Sequence, residues 1–246
     1  GVALATAILP TLSAQAARGA LDELRTTIGF GLRMIFFIIL PAMAGLILLR
    51  YPIVHLVFEH GSFTKTDTLA TATALLCYAV GLWAFAGVRI IVSAFYSLQD
   101  TRTPAITAGI AVGANIGLSL WLMTILDAAG LALATALASM LNGSILVAVL
   151  HRRLGRVDWG AVVRSAGRVL AASIPMAGIC LWVASAPLWM ETGQWIVKSV
   201  MLFGGIGFSV IAYLGMHLML WSDELDVVMG LVKRKLGRVA RKFGVA

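Results

Sequence analysis

The sequence predicts an all-α polytopic membrane protein with six full transmembrane helices and the end of a seventh. Three observations carry that reading. The chain is 60% hydrophobic, has a mean hydropathy of +0.95, and is only 12% charged, about half the charged share of a soluble domain. A soluble fold of this size would have to clothe its surface in Leu, Ile, Val and Ala, and a disordered chain would be apolar-poor and charge-rich. The apolar residues also gather into blocks of about 20 or more, the length that crosses a hydrocarbon core of about 30 Å. Finally, the basic residues lie unevenly about those blocks.

The first block, 1–12, opens on Gly rather than Met inside an apolar run, and Pro10 is expected to help end it. It reads as the last part of a helix in a longer protein, with no signal peptide visible. Full blocks follow at 28–49, 69–98, 104–126, 128–150, 161–189 and 195–221. Barrel strands would be about 10 residues of alternating polarity, whereas these runs are continuously apolar. The connections are polar. Residues 99–104 (QDTRTP) end on a proline where a new helix would start. Asp127 separates two blocks and is expected to cap the second. Residues 56–68 form a polar loop with a glycine, preceded by a short apolar piece at 53–58 that suits the membrane interface. Residues 151–168 read as a longer basic loop.

Alternating the blocks across a bilayer sorts the nineteen Lys and Arg residues. Fourteen fall on one side: Arg18, Arg25, Arg102, five within 152–168 and six within 233–242. Three, Arg50, Lys65 and Lys198, fall on the other, and Arg33 and Arg89 lie within blocks. The positive-inside rule assigns the rich side to the cytoplasm. The net charge of +8 therefore reports topology, and no nucleic-acid partner is expected. The tail at 222–246 has apolar residues at roughly helical spacing with basic ones between them. It reads as a basic amphipathic segment on the cytoplasmic membrane surface, attracted to anionic membrane lipids.

Chemistry inside a bilayer shows itself as polar atoms that lipid rejects. An arginine at a helix centre costs roughly 2.5–3.5 kcal/mol on insertion scales. Arg33 lies over a turn into its block, where snorkelling and a cavity role both account for it. Arg89 lies deeper, about ten residues from the nearest loop, and lining a cavity explains it better. The acidic residues all sit in loops or at block ends, so the carboxylate cluster that a lipid-diphosphate enzyme needs for Mg²⁺ or acid–base work is not in view. No P-loop motif occurs. The chain is expected not to be an enzyme, and no cofactor is called for. Cys77 and Cys180 lie within apolar blocks without metal-ligand spacing. His217, near the end of the last block, reads as packed or interfacial.

Asn115, Ser119 and Thr135 are milder polar residues, the first two four apart and so on one helix face. They suit either a small-cation site or an interhelical hydrogen bond, and the second is the commoner use. Gly130, Ala134 and Ala138 form a small-residue stripe for close helix packing, with a weaker one at Gly204 and Gly207.

Several strings resemble the MurJ/MviN family of lipid II flippases, within the MOP exporter superfamily. They are 3–13 (ALATAILPTLS), Gly31-Leu32-Arg33, 56–64 (LVFEHGSFT), 94–104 (AFYSLQDTRTP) and 130–135 (GLALAT) followed by Leu141-Asn142. The family commonly has arginine where His60 stands. The resemblance implies the C-terminal half of a fourteen-helix protein: the end of helix 8 with helices 9–12 in a transport lobe at 1–150, then two extra helices within 161–221 forming a groove for a lipid tail. The partner would be the N-terminal lobe, missing here. The implied activity is alternating-access flipping of lipid II, the undecaprenyl-diphosphate-linked peptidoglycan precursor, across the bacterial inner membrane, with the C-terminus cytoplasmic and this piece inactive alone. Arg33 matches a cavity arginine and would meet the diphosphate, with Arg89 a second substrate-binding candidate. A related exporter of drugs or polysaccharide-lipids is the alternative within the superfamily. A membrane transferase or phosphatase and a regulatory half-transporter are further readings.

Overall fold

The computed structural model describes residues 2–155, 157–191 and 193–219, together with Glu224 and Gly230. These form helices α1 (Val2–Ala17), α2 (Leu21–Leu48), α3 (Arg50–Phe58), α4 (Lys65–Ala79), α5 (Leu82–Ser97), α6 (Arg102–Leu154) and α7 (Trp159–Ala184), a 3-10 turn at Pro187–Met190, and α8 (Trp195–Met219). Five stretches are long and apolar enough to cross a membrane: α2, α4 with α5, α6, α7 and α8.

The 53 residues of α6 are two crossings. A straight helix of that length would run about 80 Å. Instead the backbone of Asp127 turns to φ 48°, ψ −131°, and the chain folds back on itself. Asn115 and Thr135, about 30 Å apart on a straight helix, are joined by a 3.2 Å hydrogen bond. The hairpin closes so tightly that a Cβ on Gly130 would collide with the carbonyl oxygen of Leu122. Gly130, Ala134 and Ala138 are all buried, as their stripe predicts. The described chain thus has six crossings, with α1 beside them.

Four expectations need correction. Pro10 does not end the first helix, which continues to Ala17. An internal proline removes one backbone bond, and Leu12, fully buried in a core shared with α2 and α5, holds the helix beyond it. The block 69–98 is two helices that break at Val80 and Gly81. The break lets Gly81 approach α6 so closely that a Cβ there would sit 2.7 Å from that of Ala136. Residues 151–168 are not a loop, because α6 runs through Leu154 and α7 starts at Trp159. Basic residues suit the last turn of a helix by opposing its dipole, and the Asp158 carboxylate caps α7 by accepting from the Ala161 N–H at 2.9 Å. On α8 the close-packing glycine is Gly205, against Val183, whereas Gly204 meets nothing. The end of the block 195–221 and the tail 222–246, apart from Glu224 and Gly230, lie outside the described residues.

Helix α2 is the spine. Leu24, Ile28, Leu32 and Ile35 enter one apolar core with α1, α5 and α6. Phe37, Leu40 and the adjoining Leu49 enter a second with α7, α8 and Trp189. The residues that the alternation put on the basic side do share one end: Arg25 donates to the Leu154 carbonyl at 2.5 Å, and Arg153 pairs with Asp100 at 2.6 Å. Lys198 meets α3 at the opposite end.

Candidate functional site

Arg33 lines a polar cavity of about 390 Å³ between α2 and α7, near the basic end, with Asp22, Arg25 and Asp158. Its guanidinium is partly buried and lies 3.8 Å from Glu224. Glu224 is itself buried and accepts a 2.8 Å bond from Ser165 of α7. The pocket sets two guanidinium groups, whose forks match phosphate oxygens, among carboxylates: Asp22 pairs with Arg25 at 2.5 Å and Glu224 faces Arg33. Arg89 does not join them. It stands exposed on α5, as does Tyr96 two turns along, between the half-buried Phe85 and Val92.

A second cavity, also about 390 Å³, is almost wholly apolar. It opens between α2, α7 and α8, and is lined among others by Pro41, Gly45, Met176, Cys180 and Tyr213. Pro41 shapes it. Lacking an N–H, it leaves the Phe37 carbonyl without its helical donor, and Tyr213 of α8 supplies one at 2.7 Å. His217 packs edge-on to Phe37 and Tyr213, with ring centroids 4.7 Å away from each. It is buried, as a packed histidine is expected to be. Cys180 is a free, buried thiol 3.4 Å from the Ser209 hydroxyl.

Asn115 and Thr135 are brought together, Asn115 Nδ2 donating to Thr135 Oγ1 while that hydroxyl donates to Leu131 O at 2.9 Å. Ser119 lies one turn along from Asn115 on the same helix arm. The contact is an interhelical bond of the kind that the spacing allowed.

The opposite end holds a polar cluster that the sequence reading missed. Lys198 of α8, 1% exposed, reaches His55 at 2.8 Å, and His55 reaches Glu59 at 2.7 Å. Glu59 also accepts from the Thr68 hydroxyl at 2.7 Å. Burial raises the Glu59 pKa, but the hydrogen bonds from Thr68 and His55 and the charge of Lys65 outweigh it and leave the carboxyl below its ordinary range. The signal lay in the spacing of His55 and Glu59, one helical turn apart, and nothing local pointed to Lys198.

Residues 1–203 match the family described as "Lipid II flippase MurJ". The chain belongs to that family. Similar MurJ relatives, each described as "Probable lipid II flippase MurJ", include one from Vibrio cholerae, 33% identical over 89% of this chain and 42% of its own length. Another, from Rhizobium meliloti, is 32% identical over 95% of this chain and 44% of its own length. A solved structure described as "Lipid II flippase MurJ, inward closed conformation" superposes with a TM-score of 0.67 and 23% identity, covering 90% of this chain and 44% of that one. That likeness shows the MurJ fold. The chain spans less than half the length of these MurJ relatives, and it is a multi-pass membrane protein.

Proposed function

We propose that this chain is the C-terminal half of a flippase that carries lipid II, the undecaprenyl-diphosphate-linked peptidoglycan precursor, across the bacterial inner membrane by alternating access. The observation that carries the reading is one helix, α2, presenting both a pocket with two arginines and an apolar groove, in a chain of the MurJ family. A diphosphate head needs fixed cations to enter a low-dielectric slab. A prenyl tail needs only an oily channel, and the groove between α2 and the two extra helices fits it. Arg33 meets the diphosphate, displacing its carboxylate partner Glu224. Arg89, exposed and outside the described cores, faces the N-terminal lobe that completes the central cavity. Asn115, Ser119 and Thr135 are the candidate small-cation ligands, and a cation that stabilises the protein in a sodium titration, but not its Thr135→Val variant, supports that role. The C-terminus lies on the cytoplasmic side with the basic end, next to anionic lipid. The piece alone, lacking half of the cavity, does not transport.

The lipid II reading is favoured over an exporter of organic cations by the chain's membership of the MurJ family, because the pocket's arginines are balanced by Asp22 and Asp158 and its charge does not discriminate. The test is made in the full-length protein. Arg33→Ala is expected to abolish appearance of the precursor at the outer leaflet while the protein is made and inserted normally. Wild-type flipping by that variant would refute the assignment.

A further inference from the structure

The Lys198–His55–Glu59–Thr68 chain joins three elements distant in sequence: α8, α3 and α4. Its proton arrangement follows from its partners. An ammonium has only donors, so Lys198 donates to His55 Nε2 at 2.8 Å and to the Glu191 carbonyl at 2.6 Å. With Nε2 accepting, the imidazole proton sits on Nδ1 and is donated to the Glu59 carboxylate. One positive and one negative charge then flank a neutral ring. The ring is 4% exposed, stacked between Tyr51 of α3 at 5.9 Å and Trp195 of α8 at 6.2 Å, with Trp189 edge-on at 6.0 Å. Beyond these, among the described residues, the facing polar groups are Thr68 and Lys65 of α4, acting through Glu59, and His60, edge-on to Trp195.

We propose that His55 is a proton-released latch holding the first turns of α8 to α3. An imidazolium has two donors and no acceptor. A proton arriving on Nε2 would set two donors and two positive charges against each other where one hydrogen bond now stands. Neither group can turn away, because aromatic rings wall in the imidazole and the 3-10 turn holds the ammonium. The Lys198–His55 contact therefore opens on proton uptake, while the His55–Glu59 bond stays and strengthens. Helix α8 keeps its other anchor, the Tyr213–Phe37 bond, fifteen residues or about 22 Å further along. It pivots there, and it lines the apolar groove. The latch stands on these contacts alone and not on the substrate reading, so either can fail without the other.

The test uses the full-length protein in lipid nanodiscs with Cys77 and Cys180 replaced by Ala. Spin labels at Val57 of α3 and Ile196 of α8, both exposed, report the distance between the helices in an acid titration from about pH 8 to about pH 5. The wild-type distance is expected to lengthen and broaden at the acid value. His55→Gln keeps a donor and an acceptor without titrating, and its distance is expected to stay at the docked value throughout. Lys198→Met removes the opposing charge, and acid is expected to leave its distance unchanged. An unchanged wild-type distance would overturn the latch, and so would an acid shift in either variant as large as the wild type's.

Discussion

Tyr213 donates its phenolic hydroxyl to the carbonyl of Phe37, the one backbone acceptor in α2 that Pro41 deprives of its helical donor. A helix in an apolar setting must satisfy its backbone internally or find a partner on a neighbour. Here α8 is that partner. Tyr213→Phe is therefore expected to cost about 1–3 kcal/mol, the penalty for an unsatisfied buried acceptor. Adding Pro41→Ala restores the missing N–H and should recover most of the loss. Thermal unfolding of the two single variants and the double variant measures the coupling, and purely additive effects would contradict it.

The hairpin of α6 makes a sharper demand. A Cβ at Gly130 meets backbone atoms of Leu122 and Met123, which cannot rotate aside. Gly130→Ala is expected to destabilise by about 1–3 kcal/mol or more, in the manner of overpacking, and to lower the yield of folded protein in detergent. Gly204→Ala, where nothing lies near, should be neutral or gain a few tenths of a kcal/mol from helix propensity. The pair separates a packing requirement from a general intolerance of alanine.

At the basic end, hydrogen bonds from the hydroxyl and the N–H of Thr103, with Arg153 beside them, hold the Asp100 carboxyl below its ordinary range. A depressed folded value means that the pairing stabilises above the unfolded carboxylate range and is lost as pH falls through the folded value. The melting temperature of Asp100→Asn is expected to lie below wild type at neutral pH and to converge with it in acid. A gap that persists in acid would point to lost packing instead.

Asn115→Leu should cost about 0.6 kcal/mol, the usual worth of one interhelical bond in a membrane, when read by unfolding without added sodium. A larger loss would mean that Asn115 anchors more than Thr135.

The architecture was legible where the bilayer itself writes the pattern. Apolar blocks gave the crossings, and Asp127 stood out because it is charged between two of them. The break in 69–98 was hidden because Ala79, Val80, Gly81 and Leu82 carry no polar mark. It coincides with the close approach of Ala136 from another helix, which no neighbouring residue announces. The arginine pocket was half legible: Arg33 is conspicuous in an apolar run, while its neighbour Glu224 looked like one tail residue among many. Lys198 read as a charge at a helix end, yet it is among the most buried side chains. Its acceptors are His55, 143 residues away, and the Glu191 carbonyl. No local spacing encodes such a pairing.

Because α2 contributes side chains to both apolar cores, the last two helices have no seam along which they can be trimmed away. Deleting α7 and α8 would bare Phe37 and Leu40 and orphan a carbonyl at mid-helix, so the appendage and the lobe must be engineered as a single unit.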